Sequence, residues 1–311
     1  MENKKNKIAI IDGYHLLHRG YYGPLKQGFK TKNKDGHLVN SVFVFASRIL
    51  KMIKSNEYWS IIVAFDISGA CWRTELFEKY KATRKDTPLD LVPQMQIARD
   101  FLTAVNIQWF DKQKYEGEDI IATIAKKAIS ENFKVDVFTN DKDLFQLVTE
   151  DINVIVQKDK KTPPQRVDPD YVRREFGVEP PQITDMKSLL GDSSDNIRGV
   201  KGLKYASAIS LINEYGSVEY IIDNIEELPG NAKSKISSAI DQIIMNKKLT
   251  TICNDVELEN VNFKKLNVNF IKYINFLNEN GMYALDKQIR PLFLEKIEEL
   301  KAKKFDLTIN T

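Results

Sequence analysis

Three short runs of β-branched and aromatic residues each end in an aspartate: residues 7–12 in Asp12, 59–66 in Asp66 and 134–141 in Asp141. Glu116, Glu118 and Asp119 stand at the start of a helical pattern, Asp143 follows Asp141 closely, and Asp192 and Asp195 share the loop Gly191-Asp192-Ser193-Ser194-Asp195-Asn196. Carboxylates gathered this closely repel one another and stay ionised together only where cations lie between them. All-oxygen ligands without cysteine or histidine select hard ions, so the pattern predicts magnesium, with manganese able to substitute. Two such ions about 3.5–4 Å apart stabilise both the attacking and the leaving oxygen of a phosphoryl transfer, and phosphodiester hydrolysis is the reaction that fits. A single acidic residue after a strand is usually a turn former or a helix cap. Glu118 and Asp119 could serve a helix N-terminus alone. The repetition at three strand ends is what turn chemistry does not explain.

Near-continuous apolar strands separated by helical patterns at 41–54, 89–105 and 118–132 predict an α/β fold, with a mainly parallel central sheet flanked by helices. In such open sheets ligands gather beyond the carboxyl ends of the strands, so the three aspartates should meet in one crevice. After residue 157 the character changes. Residues 158–166 are polar and proline-bearing, and no strand pattern follows. Asp168-Pro169 reads as an N-cap with proline in the first turn, Gly177 as a helix stop, and further helices are expected at 181–190, 205–215, 218–224 and 232–247. The expected organisation is an α/β domain over 1–167 and a helical domain over 168–311.

At 311 residues, with 42% hydrophobic and 29% charged, the chain can bury a sizeable core. Its 46 basic and 43 acidic residues nearly cancel, so the net charge of +3 does not by itself imply a nucleic-acid partner. No apolar run approaches the roughly 20 residues that span a bilayer, and the opening Met-Glu-Asn-Lys-Lys-Asn-Lys is no signal sequence, which predicts a cytoplasmic protein with no membrane partner. Cys71 and Cys253 are too isolated for zinc or a disulfide framework, and His15, His18 and His37 have no nucleophile to serve. Between 73 and 85, Arg73, Lys79, Lys81, Arg84 and Lys85 alternate with Phe77 and Tyr80 after Trp72, a mixture suited to a single-strand groove but equally to a solvated helix face. Gly199-Val200-Lys201-Gly202 before a helix could offer backbone N–H groups to duplex phosphates, or be a plain turn.

The stretches Ile11-Asp12-Gly13, Ala64-Phe65-Asp66, 73–81 with Arg84, Tyr115 to Asp119, Asn140 to Leu144 and Gly191 to Ile197 occur in an order that resembles the 5′ nuclease family. That family comprises the 5′–3′ exonuclease domain of bacterial DNA polymerase I, its free-standing relatives and the flap endonucleases, and the similarity runs from residue 7 to about 300. The resemblance implies a PIN-like fold with a C-terminal helix-hairpin-helix domain and a helical arch over about 73–110. It implies a first ion held by Asp12, Asp66, Glu116 and Glu118, and a second by Asp141, Asp143, Asp192 and Asp195, with Asp119 close by. Water would attack in line and leave a 5′-phosphate. Lys81 and Arg84 take the catalytic positions at the base of the arch, and Arg19, Arg73, Tyr80, Lys81, Arg84, Gly199, Lys201, Gly202 and Lys204 the DNA-binding ones. The implied partner is DNA with a free 5′ end or 5′ flap, in replication and repair, met by a monomer of the free-standing form. Arg198 and Lys201 replace common prolines and Lys204 the usual second hairpin glycine, which bears on the potassium ion often held there; Glu118 stands where aspartate is usual. A related ribonuclease would lack the 191–196 loop, and a non-catalytic DNA binder would be expected to have lost one of the carboxylates.

Overall fold

The computed structural model describes residues 5–25, 31–157, 162–287, 290, 291 and 294. In chain order β1 (Lys7–Asp12) runs into α1 (Gly13–Leu25) and α2 (Asn40–Ser55), then β2 (Ser60–Ala64), α3 (Trp72–Leu76), α4 (Val92–Ala104), β3 (Gln108–Phe110), α5 (Gly117–Ser130), β4 (Lys134–Phe138), β5 (Ile152–Val156) and β6 (Gln165–Val167). The six strands form one sheet in the order β3-β2-β1-β4-β5-β6, parallel except for β6 at the edge. Successive residues of β1 are buried on both faces: Ile8 and Ile10 pack with Ile120 and Ile124 of α5, and Ala9 and Ile11 with Phe45 of α2 and Phe101 of α4. That two-sided cover is why the strands read as unbroken apolar runs.

β1 ends at Asp12, whereas β2 and β4 stop before Asp66 and Asp141, leaving those two in the loops that follow. The expected arch over about 73–110 is not one helical feature. α3 is five residues long, 77–91 are turns and extended backbone, α4 buries Ala98, Phe101 and Leu102 in the core, and β3 belongs to the sheet. Pro88 disfavours helix at the residue before it, and the apolar stripe of α4 has a core face to cover.

Beyond β6 come α6 (Pro169–Phe176), α7 (Ile183–Leu190), the two-residue strands β7 (Gly191–Asp192) and β8 (Ile197–Arg198), α8 (Tyr205–Tyr215), α9 (Val218–Asp223), α10 (Gly230–Ser237), α11 (Ile240–Thr250) and α12 (Phe270–Asn280). The Asp168 carboxylate accepts from the Tyr171 N–H at 2.9 Å, and Gly177 ends α6 at φ 72°. β6 is a strand within the polar stretch where none was expected, and the helix expected at 232–247 is two helices broken at Ser238 and Ala239. Among the described residues no helix is long and apolar enough to cross a membrane.

The helical half packs directly on the sheet, because Leu189, Leu211 and Ile243 share one core with Ile120 and Val135. The chain then returns to the first half. Trp59 donates its indole N–H to the Phe263 carbonyl and accepts the Leu266 N–H at its own, both at 2.8 Å, and the rings of Tyr273 and Phe276 of α12 meet Phe101 at steep angles. The segment from Phe263 through α12 therefore belongs to the core of the α/β half, and the helical unit expected over 168–311 ends well before it.

Candidate metal centre and nucleic-acid interface

The strand-end aspartates are held by neutral donors. Asp12 accepts from the His15 N–H and the Thr139 hydroxyl, both at 2.9 Å. Asp66 accepts from the Gly117 N–H at 2.8 Å, and a Cβ at position 117 would stand 3.2 Å from Oδ2 of Asp66, so a glycine permits this approach. Asp141 accepts from the Asp143 N–H at 3.0 Å and donates its own N–H to the Thr139 hydroxyl at 3.0 Å. Every protein cation in the cluster pairs with other carboxylates. Burial pushes Asp12 up to about 6 against the His15 and Thr139 donors. Burial, then the charge of Asp12, pushes Asp66 up to about 6.

The remaining carboxylates are compensated by the protein. Arg73, 0% exposed, bonds Asp119 through both terminal nitrogens at 2.9 and 2.8 Å, Glu116 at 2.7 Å and Glu118 at 3.0 Å. It also donates to the carbonyls of Leu249 and Thr251 at the end of α11. Burial opposes its charge, but Glu118, Asp119 and Glu116 outweigh burial and raise its pKa further. Asp119 accepts in addition from the Trp72 indole, the Glu116 N–H and the Cys253 N–H. Two expectations are corrected here. Arg73 cannot face DNA, and Asp119 has its oxygens engaged by five donors, so it anchors the cluster without an oxygen to spare for an ion.

Tyr80 is 3% exposed, and its hydroxyl lies 3.1 Å from Glu116 and 3.0 Å from Asp195; it is a buried bridge and not the stacking platform expected. Lys81, in the left-handed region at φ 55°, donates its N–H to the Asp195 carbonyl at 3.0 Å and pairs its ammonium with Glu116. Arg84 bonds Asp195 at 2.6 Å and keeps its side chain 49% exposed, so it can reach a substrate phosphate. Glu118 is pushed up to about 8 by burial, despite Arg73 and Lys81.

Across the crevice, Lys187 of α7 bridges Asp143 and Asp192, the latter at 2.6 Å. Burial opposes the Asp192 charge, but Lys187 and the hydroxyl and N–H of Ser194 bring its carboxyl down to about 2. Sequence reasoning missed Lys187, although a lysine in the otherwise apolar end of Ile183-Thr184-Asp185-Met186-Lys187-Ser188-Leu189-Leu190 was its signal. Among the described residues no three acidic, histidine or cysteine side chains are gathered tightly enough to hold an ion as they stand. Neither of the two ligand sets implied by the resemblance is therefore drawn together round one ion position here. The donor chemistry fits a hard divalent ion nonetheless: among the described residues neither Asp12 nor Asp66 is in an ion pair, and the charge of Lys81 only partly offsets theirs. An ion shared by Asp143 and Asp192 requires the Lys187 ammonium to withdraw.

In the hairpin after α7 a Cβ on Gly199 would fall 2.2 Å from the Leu190 carbonyl oxygen, so Gly199 lets β8 back closely onto α7 and is there for packing. Gly202 turns the chain at φ 73°, whereas Lys204 is extended at φ −84°, so the departure at 204 needs no glycine and carries no strain. Lys201, Gly202 and Lys204 are exposed ahead of α8, whose first turn has no side-chain cap. The Gly202 carbonyl accepts from the Lys235 ammonium at 2.8 Å, so a protein cation already lies against the hairpin where potassium was expected. Arg19 is half-buried and donates to the Gln157 carbonyl.

Residues 7–177 match the family model of the 5′-3′ exonuclease N-terminal resolvase-like domain, and 178–272 that of the 5′-3′ exonuclease C-terminal SAM fold, a division later than the expected 167. DNA polymerase I of Bacillus subtilis (strain 168) is 36% identical over 288 residues, 92% of this chain and 31% of that protein. DNA polymerase I of Bacillus caldotenax is 33% identical over 297 residues, 94% of this chain and 32% of that protein. The chain spans about a third of the length of these relatives. Among solved structures, a flap endonuclease of bacteriophage T5 in complex with DNA and metal ions matches with TM-score 0.65 and 20% identity, over 93% of this chain and 98% of that one. The catalytic core of Rad2 with DNA substrate matches with TM-score 0.61 and 16% identity, over 93% of each chain. These two show a shared fold, a resolvase-like sheet domain with a helical partner. By its sequence along nearly its whole length, the chain belongs to the 5′-3′ exonuclease family.

Proposed function

We propose that this chain hydrolyses DNA phosphodiester bonds as a 5′–3′ exonuclease and 5′-flap endonuclease, a cytoplasmic monomer working in primer or flap removal during replication and repair. The observation that carries the reading is the set of three aspartates, Asp12, Asp66 and Asp141, held at the ends of adjacent parallel strands by neutral donors and, among the described residues, without an ion pair. Magnesium is the proposed ion, manganese its substitute, and two ions the proposed number. Asp12, Asp66, Glu116 and Glu118 would hold one, and Asp141, Asp143, Asp192 and Asp195 the other. Bound magnesium would lower the pKa of an attacking water and neutralise charge on the phosphate.

The chain's own residues do the rest. Thr139 orients Asp12 through its hydroxyl and Asp141 through that residue's N–H, so one side chain fixes two of the three aspartates. Lys81 and Arg84 lie against the cluster, paired with Glu116 and Asp195, where they could meet a scissile phosphate brought to the aspartates. Charge-assisted donors set beside developing negative charge are worth more in a water-poor site than in bulk. Lys201 and Lys204 with the open first turn of α8 suit duplex phosphates at a distance from the cut. The test is cleavage of a 5′-labelled flap substrate and its RNA counterpart with magnesium and with EDTA. Magnesium-dependent release of short 5′ products from DNA is expected; binding without cleavage, or cleavage of RNA alone, would overturn the reading.

A further inference from the structure

A cavity of about 710 Å³ lies beside the carboxylate cluster, between α1, α2 and the carboxyl ends of β1, β4 and β5. Val44, Ser47, Arg48 and Lys51 line it from a single face of α2, at three and four spacing, and His15 and Arg19 line it from α1. Phe43, Phe138 and Ile155 provide apolar wall. It adjoins the proposed reaction centre: Thr139 and His15, which line it, are the two residues bonded to Asp12, and Asn140 precedes Asp141.

Its cations are set in place by a hydrogen-bonded rim. The Asn140 side chain clamps the main chain of Gln157 on both sides, accepting its N–H at 2.9 Å and donating to its carbonyl at 3.0 Å. Gln157 in turn accepts Arg19 at that carbonyl and Arg48 at its side-chain oxygen, the latter at 3.1 Å. Among the described residues no aspartate or glutamate lines the cavity, and neither Arg48 nor Lys51 is in an ion pair. His15 has its Nε2 buried without a hydrogen-bond partner. A guanidinium fixed by Gln157 and an exposed ammonium one turn away, beside aromatic and aliphatic wall, is the chemistry that takes a phosphate on one side and a base on the other. The volume lies in the range of sites that enclose small ligands.

We propose that this cavity binds one 5′-phosphorylated nucleotide, the terminal nucleotide of the strand to be cut. The assignment rests on the nuclease reading and adds an end preference to it. A terminal phosphate carries a charge of about −1.5 to −2 at neutral pH against one for an internal phosphodiester, so Arg48 and Lys51 favour a phosphorylated end over a 5′-hydroxyl.

The experiment compares wild type with Arg48→Ala plus Lys51→Ala on substrates with a one-nucleotide 5′ flap that differ only in a 5′-phosphate or 5′-hydroxyl, under single turnover with magnesium. Wild type should bind and cut the phosphorylated end with an apparent affinity about tenfold better. The double variant should lose that preference while keeping its rate on the 5′-hydroxyl substrate, and Arg48→Lys should keep most of the preference. A wild type indifferent to the end, or a double variant that keeps the preference, overturns the proposal. A parallel binding arm in EDTA uses a 3′-labelled trinucleotide with and without 5′-phosphate, so the cavity is tested even if nothing is cut, an outcome that would count only against the nuclease reading. Displacement of the phosphorylated trinucleotide by an equal concentration of deoxynucleoside 5′-monophosphate would make the ligand a free nucleotide and overturn the strand-end assignment. Thermal melting of both variants at the wild-type temperature shows that the fold is kept.

Discussion

Two groups of carboxylates share one crevice and are held in opposite ways. Asp119, wholly buried, accepts five hydrogen bonds, two of them from the Arg73 guanidinium, and that arginine also ties α3 to the end of α11. Asp12, Asp66 and Asp141 accept one or two bonds each, all from neutral donors. A buried charge that is matched and fully bonded holds a structure in one arrangement, and removing one partner leaves the other exposed to the full cost of burial. A buried charge that is not matched, as at Asp12 and Asp66, has its pKa raised and attracts whatever cation can reach it. The residue type is the same in both groups; what differs is whether the protein brings its own cation.

The largest expected effect is on the unmatched group. Asp66→Asn and Asp141→Asn should each lower single-turnover cleavage by about 10²–10³-fold or more, with DNA binding kept or tightened. Neither should lower the melting temperature of the metal-free protein, because each removes repulsion and no ion pair. A variant that melts early yet cuts at the normal rate would move its aspartate into the matched group.

Next in size is the matched group. Asp119→Asn leaves the Arg73 charge without its main partner and should cost about 3–5 kcal/mol of stability, measured by urea denaturation. The fraction that folds should show an unchanged magnesium midpoint for cleavage. An altered midpoint with normal stability would return Asp119 to the metal ligands and break the comparison from the other side.

The sequence displayed the unmatched group well and the matched group poorly. Strand runs ending in aspartate are local patterns, and β1 was legible to the residue because its two buried faces leave no polar position until Asp12. Glu116 lies at capping-box spacing from Asp119, but the other partners of Asp119, Trp72 with Arg73 and Cys253, come from two distant stretches that no spacing rule connects to it. An arginine among lysines and aromatics reads as a DNA contact when its neighbours in space are unknown, and only burial distinguishes the two. Lys187 was hidden the same way, between α7 and the loop after β4. The fold class was legible from alternation of strands and helices, but the return of α12 onto α4 rests on tertiary packing that an amphipathic pattern does not address.

A smaller effect is expected at the place where the groups meet across the crevice. Lys187 is the protein's own cation between Asp143 and Asp192. Lys187→Met should make magnesium raise the melting temperature more than it does in wild type, since the ion no longer competes with an ammonium. It should also change the acid limb of stability. Asp192 titrates at about 2 in the folded chain against an ordinary 3.8, so its pairing contributes stability that is complete above pH 3.8 and is lost as pH falls toward 2. Lys187→Met should flatten that part of a metal-free pH–stability profile; an unchanged profile would show that the Ser194 donors alone hold Asp192 down.

The smallest effect, and the one that divides the groups most finely, is expected at Glu118. It is bonded to Arg73 at 3.0 Å like the matched carboxylates, yet burial pushes it up to about 8, above even Asp12 and Asp66. Arg73 already serves Asp119 and Glu116, so Glu118 receives only a share of its charge. The backbone has little room to bring the longer side chain into line, because Gly117 is committed to its hydrogen bond with Asp66. Metal-free protein should therefore tolerate Glu118→Gln with no loss of melting temperature, an amide replacing a carboxyl whose charge burial disfavours. With magnesium the same variant should need several-fold more ion for half-maximal cleavage, as a neutral amide is a poorer ligand for a hard cation. Glu118→Asp, shorter by one methylene, should keep the charge and most of the magnesium affinity. If Glu118→Gln instead melts early and its magnesium titration superimposes on that of wild type, Glu118 belongs with Asp119, and the line between the two groups runs on the other side of it.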